Sequence, residues 1–367
     1  MLEGIRTQPS LALLLALSVA SCAVPVPSLV APPASPASPT PEPTASLARF
    51  AAIGAPFQIG NKDEVVAMAV RPGAPDLWVV VTHKGESWRS TGRSGWTKGG
   101  ELAFDPGLIE RDVRDLAYSD GRFIVVGRER VHHKDPNENG EIGGLMWTST
   151  DGSTWDLVRL DHLEIRGLAP EREPLAGAAV ALGEAYTGAG VARLDGRTWT
   201  FDRPPGVFTT IGFGRPEDLL PVGDGFLIVG GREAYGGSGA NVVVWDGDRD
   251  WLWLTNDSPT GPPLEHLVYR TKGFAALGAG STFWTATAVD RWSRPMTLPF
   301  AASRLFQAPD GSLLAMGDGI WGSSDGTDWV RIDDGTAPIG SWAYAGGVAI
   351  GCGDRTCRAY ASAAAPE

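Results

Sequence analysis

Cysteine, histidine and lysine are scarce in this chain. Three Cys and five His in 367 residues leave no zinc-type Cys/His framework, and no His pair stands at helical metal-ligand spacing. With little Lys and a formal net charge of −12, nucleic acid and an anionic membrane surface are poor partners. Long membrane-spanning runs are missing: Leu11 to Ala20 is apolar but too short to cross a bilayer. No long segment carries helical periodicity. Gly236-Gly-Ser-Gly-Ala240 lacks the second Gly and the strand-to-helix setting of a serine nucleophile elbow, and reads as a flexible loop.

What the chain has is Gly, Trp and turns. All fourteen Trp lie at residue 78 or later. The stretch Trp147-Thr-Ser-Thr-Asp-Gly-Ser-Thr-Trp155 reads as a hairpin. Asp151 accepts from a nearby backbone N–H, and Gly152 supplies a positive φ. Trp147 and Trp155 are expected on the two strands, packed over one hairpin face. The spacing recurs at Trp88/Trp96, Trp284/Trp292 and Trp321/Trp329, and as Val191/Trp199 and Val243/Trp251. A period of about 40 to 60 residues belongs to propeller blades and other repeat arrays.

A second repeat runs beside the first. Asp112-Val-Arg-Asp-Leu-Ala-Tyr118 aligns with Pro263-Leu-Glu-His-Leu-Val-Tyr269, as inner strands would. The apolar column is Val65, Val113, Ile165, Ile211, Leu264, Ala302 and Ile339. A Gly-ended strand usually follows: Phe123 to Gly127, Phe226 to Gly230, Phe274 to Gly278, Leu313 to Gly317 and Val348 to Gly351, with Ala185 to Gly190 as the weak counterpart in the third unit. Seven inner strands and six Trp hairpins imply an all-β propeller of seven four-stranded blades over residues 47–367. A strand from the N-terminal segment, around Phe57 to Gly60, would close the ring, because open sheet edges invite mispairing. Six- and eight-bladed rings are the alternatives.

Ser149-x-Asp151-Gly152-x-x-Trp155 and Ser323-x-Asp325-Gly326-x-x-Trp329 resemble the Asp-box, or BNR repeat, of sialidase-like β-propellers. Both are one residue shorter between Asp and Gly than the family pattern; four further copies are eroded. The resemblance implies a structural turn between the third and fourth strands of a blade, distant from the active site. It also raises the possibility of sialidase chemistry, which needs three Arg for the substrate carboxylate and a Tyr nucleophile paired with Glu. The family's Arg-Ile-Pro motif is absent, and Tyr118 and Tyr269 have no evident Glu partner. No catalytic residue carries over.

At the N-terminus, Val19-Ala20-Ser21-Cys22 resembles a bacterial lipobox, which implies lipidation at Cys22 after removal of residues 1–22. An ordinary secretory signal is the alternative. Residues 23–46, rich in Pro, Ala, Ser and Thr, read as a tether. Export would leave Cys352 and Cys357 to pair as a short-loop disulfide. The expected address is the outer face of a bacterial membrane or the periplasm.

Candidate chemistry is limited. Asp135, Asn137 and Asn139, with Gly140, resemble the first half of a calcium loop, but position 12 is Met146; a solvated polar loop is the alternative, and no other cofactor is implied. The columns that would line the channel hold Arg114, Arg166 and Glu265, then Asp115, His266 and Arg304. Such a mixed-charge ring suits a glycan, a peptide, a carboxylate or a protein partner; charged residues at the wet ends of inner strands, with no ligand, are the alternative. The expectation is a monomeric, non-catalytic binding protein. A diverged glycoside hydrolase is the first alternative. A membrane-complex assembly factor is the second, since photosystem assembly proteins use similar propellers.

Overall fold

A computed structural model describes residues 47–60, 63–91, 95–104, 110–130, 142–160, 163–168, 179–185, 188–195, 198–202, 215–222, 225–234, 237–245, 251–253, 261–333, 335, 337–338 and 340–362. The expected leader, Cys22, the tether, and the loop with Asp135, Asn137 and Asn139 lie outside these residues.

The described residues form seven antiparallel sheets. The chain enters as β1 (Phe50–Gln58). It then builds a sheet from β2 (Val65–Arg71), β3 (Leu77–Thr82), β4 (Glu86–Thr91) and β5 (Trp96–Glu101). The second sheet is β6 (Glu110–Ser119), β7 (Arg122–Arg130), β8 (Ile142–Ser149) and β9 (Asp156–Leu160). The third is β10 (Leu163–Leu168), β11 (Ala179–Ala185), β12 (Gly188–Asp195) and β13 (Thr198–Asp202). The fourth is β14 (Arg215–Val222), β15 (Gly225–Ala234), β16 (Gly237–Trp245) and β17 (Trp251–Trp253). The fifth is β18 (Leu264–Arg270), β19 (Gly273–Gly278), β20 (Thr282–Ala288) and β21 (Arg291–Trp292), with β22 (Met296–Thr297) also on β20. The sixth is β23 (Ala302–Gln307), β24 (Leu313–Gly317), β25 (Ile320–Ser323) and β26 (Val330–Arg331). The last holds β27 (Ser341–Ala345), β28 (Val348–Gly353) and β29 (Thr356–Ser362), and β1 completes it by pairing with β29.

Each sheet's first strand touches the first strand of the next, and β27 touches β2. The seven inner strands therefore close a ring, the arrangement of a β-propeller. Closure by an N-terminal strand matches the expectation, but β1 begins at Phe50 rather than near Phe57. Its register runs from Phe50 opposite Ser362 to Gln58 opposite Thr356. The Cys352–Cys357 disulfide staples the neighbouring β28–β29 hairpin, across a turn with positive φ at Asp354 and Arg355.

Strand alternation explains the core. All six residues of β3 are buried. Trp78 and Val80 pack toward the last sheet, while Leu77, Val79 and Val81 pack toward the second, as a period of two demands. Each such side chain taken fully out of water contributes about 1.5–3 kcal/mol. Similar apolar layers join the second sheet to the third, the fourth to the fifth, the fifth to the sixth and the sixth to the last.

Three local expectations are corrected. Trp155 precedes β9, and Trp147 pairs with Leu157 instead. Trp147 is fully buried and donates to Ala103 O at 2.9 Å, whereas Trp155 Nε1 donates to Ser87 Oγ of the first sheet at 3.1 Å. The two indoles serve different contacts because the tight turn ends before the second strand begins. Residues 237–240 are not a loop: they open β16 and pair with residues 231–234, since Gly-rich backbone can still complete a ladder. In the third unit the second strand is Ala179–Ala185, with Gly183 opposite Ile165, so the stretch from Ala185 to Gly190 spans a connection between strands.

Candidate ligand site in the central channel

Six of the seven inner strands share one irregularity. The register shifts between Val65 and Ala67, Val113 and Asp115, Ile165 and Gly167, Pro216 and Asp218, Leu264 and His266, and Ala302 and Arg304. Each shift inserts one extra residue: Val66, Arg114, Arg166, Glu217, Glu265 or Ser303. A bulge of this kind bends its strand and re-aims side chains. Opposite the residue before it stands Gly127, Gly183, Gly230, Gly278 or Gly317 in five of the six cases. A Cβ on Gly127 would lie 2.5 Å from Asp112 O, and those on Gly278 and Gly317 would meet the carbonyls of Pro263 and Ala301. Gly127, Gly278 and Gly317 are thus required by close backbone approach; Gly278 and Gly317 end their strands, whereas β7 runs on past Gly127 to Arg130.

The ring encloses a cavity of about 1120 Å³ that receives residues from all seven inner strands. The fourth sheet's contribution corrects the expected alignment. Pro216, not Ile211, faces the strand glycine; residues 211 and 339 lie outside the described ones. The channel residues of this sheet are therefore Glu217 and Asp218. The interval from Asp218 to Gly230 equals that from Asp115 to Gly127 and from His266 to Gly278, a signal the apolar column obscured. Pro is tolerated there because β14 is an end strand of its sheet.

Asp115 and Asp218 play one role twice. Asp115 accepts from its neighbour Leu116 N at 2.7 Å and from Leu168 N on β10 at 2.8 Å. Asp218 accepts from Leu219 N at 2.8 Å and from Leu267 N on β18 at 2.7 Å. Each carboxylate ties one inner strand to the next. At the seam, Ser341 Oγ accepts from Val65 N at 3.1 Å. Burial raises the Asp115 pKa against these N–H donors. Burial also pushes Asp218 up to about 7, helped by the charge of Asp115 and opposed by its N–H donors and Arg304.

The remaining expected residues converge on the same space. Arg304 on β23 acts electrostatically on Asp115, Asp218, Glu265 and His266. His266 Nε2 donates to Ser303 O at 3.0 Å. Burial, reinforced by Arg304, pulls its pKa down to about 3, so it is neutral at pH 7. Glu265 is raised by burial and then by Glu217. Arg166 occupies the bulge position of β10; its side chain lies outside the described residues.

A cluster missed from the sequence sits beside Arg114. Asp112, 4% exposed, holds His83 Nδ1 at 2.9 Å, Arg114 Nη2 at 2.5 Å and Arg128 Nε at 3.3 Å. Burial opposes the Asp112 charge, but His83, Arg114 and Arg128 overcome it and hold the carboxyl below its ordinary range. The hydrogen bond to Asp112 raises His83 in turn. His83 follows β3 in a turn, where no strand periodicity could single it out. Among the described residues no group of three or more His, Cys, Asp or Glu is placed to hold a metal.

The two box-like turns lie away from the channel. Ser149 Oγ donates to Asp151 Oδ1 at 3.0 Å and accepts from Gly152 N at 2.8 Å. Asp151 Oδ1 also accepts from Ser153 N and Thr154 N. Ser323, Asp325, Gly326 and Thr327 repeat this network. Both turns join third to fourth strands, and the first plugs into the preceding sheet, where Ser87 Oγ donates to Gly152 O at 3.3 Å. Trp329 packs on Phe283 and Phe300 of the fifth unit in the same way.

No family model matches this chain, and no curated protein matches it. Solved structures do. The Dos1 propeller aligns with TM-score 0.55 at 9% identity, covering 85% of this chain and 95% of that one. YCF48 from Cyanidioschyzon merolae aligns with TM-score 0.52 at 13% identity over 85% and 98%. BBS1N, solved in complex with ARL6DN, aligns with TM-score 0.51 at 10% identity over 85% and 99%. At these identities the likeness shows the fold: this chain is a β-propeller. Function must then be argued from the channel residues.

Proposed function

We propose that the protein is an exported binding propeller, lipid-anchored through Cys22 and held off the membrane by residues 23–46. Its seven sheets serve as seven blades, its two box-like turns are shortened Asp-boxes, and it works as a monomer. It binds a polar glycan, peptide or protein segment at the channel mouth without turning it over. The observation that carries this reading is the wide channel lined by Arg114, Glu217, Glu265 and Arg304, charged groups of both signs around an open space.

A diverged glycosidase is the weaker reading. Glycoside hydrolysis needs a carboxyl group that donates a proton and a second that attacks or activates water. Asp115 and Asp218 instead spend both oxygens on backbone N–H groups, and Arg114 is already held by Asp112. A protein partner is the second reading, favoured by the likeness to BBS1N, a propeller-like relative in fold that was solved bound to another protein.

The test is a glycan and peptide array probed with the full chain, with fluorogenic glycosides on the same sample. Binding without turnover, weakened by Arg304→Ala, is the expected result. Turnover lost in Asp218→Asn would overturn the non-catalytic reading. Silence on both would move the assignment to a protein partner, found by crosslinking on intact cells.

A further inference from the structure

We infer that the channel mouth is bipolar and takes a short peptide with both ends free, its carboxylate held by His83 and Arg114 and its ammonium by Glu217 and Glu265. This rests on the binding reading above and names the ligand class.

Arg114 and His83 lie on one arc of the ring and Glu217 and Glu265 on another, with Arg304 of β23 beside Glu265. In ring order the inner strands run β2, β6, β10, β14, β18, β23, β27. Arg114 is the bulge residue of β6, and His83 borders the same arc through its contact with Asp112. Glu217 and Glu265 are the bulge residues of the adjacent strands β14 and β18. Three steps separate β6 from β18, the widest separation a seven-strand ring allows, and two separate β6 from β14, so Glu265 stands across the channel from Arg114.

The first arc holds a cluster of cationic groups, with Glu64 and Asp63 near His83. Asp112 is a single carboxylate shared by two guanidinium groups and an imidazole. The hydrogen bond with Asp112 also favours the protonated imidazole. Asp112 fixes the Arg114 fork, and a pre-oriented guanidinium suits a carboxylate. The second arc is anionic: Glu217 and Glu265 sit close enough for Glu217 to raise the Glu265 pKa, and a cation between two such carboxylates relieves their repulsion.

A peptide also fits what lies between the arcs. Each inner strand stands at the end of its sheet's hydrogen-bonded order, so its outer backbone edge faces the channel. Such edges pair with the amides of an extended peptide. A neutral glycan would use neither charged arc.

The experiment is titration calorimetry on the full chain with tetra-alanine, N-acetyl-tetra-alanine and tetra-alanine amide. The free peptide should bind, and blocking either end should weaken binding about tenfold, or about 1.4 kcal/mol. Arg114→Ala should erase the difference between acid and amide while keeping the penalty for acetylation. Glu265→Gln should do the reverse. The unmodified chain with the three peptides decides the matter even if a variant misfolds. Equal binding of all three, or none at millimolar concentration, overturns the inference. Arg304-dependent glycan binding with no peptide binding would overturn it while leaving the binding reading intact, whereas silence to glycans, peptides and proteins alike would sink both.

Discussion

Asp218 reaches from its own strand to the backbone of the next, accepting from Leu267 N at 2.7 Å. Asp115 and Leu168 repeat the contact at 2.8 Å two sheets earlier. Replacing Asp218 by Ala leaves the N–H groups of Leu219 and Leu267 without their acceptor, a loss of about 1–3 kcal/mol. Urea denaturation should show a lower midpoint for Asp218→Ala, with Asp115→Ala similar. An unchanged midpoint would mean that the carboxylate is not a strand tie.

The same residue makes stability depend on pH. An unfolded Asp ionises near pH 4, whereas folded Asp218 does so near 7. Between these values the folded chain holds more protons than the unfolded one. The contribution is therefore complete below about pH 4 and is lost as pH rises through about 7. The stability difference between wild type and Asp218→Asn should shift across that window, measured by urea titration at stepped pH. A flat difference would place Asp218 in the ordinary carboxylate range.

Much of this architecture was legible before the structure. Gly127, Gly278 and Gly317 stand out in the second strands because a neighbouring bulge forbids a Cβ there, although β7 continues past Gly127 to Arg130. Arg114 and Glu265, and likewise Asp115 and His266, keep their spacing to those glycines and so align, while Arg304 stands one residue farther from Gly317 yet takes the same place after its bulge. The fourth unit did not: an apolar residue was expected where Pro216 stands, and Glu217 and Asp218 were displaced from view. His83 and Asp112 meet only in three dimensions, between a turn and a strand. Trp155 was assigned to its own hairpin because spacing alone carries no information about the adjacent sheet.

The box-like turns predict the opposite pH response. Asp325 accepts from Thr327 N at 2.7 Å and Asp328 N at 3.1 Å, and Thr327 Oγ1 donates to it at 2.6 Å. Burial is the largest single influence and opposes its charge, but these donors and Ser323 together outweigh it and hold the pKa at about 2. Its stabilisation is present above about pH 4 and lost as pH falls through 2. Because Asp325 is exposed, Asp325→Ala should cost only about 1 kcal/mol at neutral pH. Thermal melts should separate the two proteins at pH 7 and bring them together near pH 2.

Gly127 offers a test of the bulge itself. A methyl group there would stand 2.5 Å from Asp112 O and 3.1 Å from the Trp147 ring. Neither the carbonyl nor the fully buried indole can move cheaply, so Gly127→Ala should cost about 1–3 kcal/mol through overpacking. Gly121→Ala is the control for bulk, since nothing lies within 4 Å of its Cβ position, although its positive φ of 74° adds local strain. Near-ultraviolet circular dichroism and fluorescence of the Trp environment should change for Gly127→Ala and stay put for the control.

Ring closure depends on β1. Phe57 stacks on Trp96 at 5.5 Å and packs against Trp88 at 4.9 Å, so the strand that completes the last sheet also grips the first. Deleting residues 47–58 would bare the edge of β29 and remove Phe50 and Phe57, both buried, from two separate apolar layers. An exposed edge recruits strands from other chains. The truncated chain should aggregate or elute as higher oligomers by light scattering, and a separate peptide of residues 47–58 should restore the monomer by refilling the edge. A truncated chain that stays monomeric and melts like the full one would show that the ring is closed by the other sheets alone.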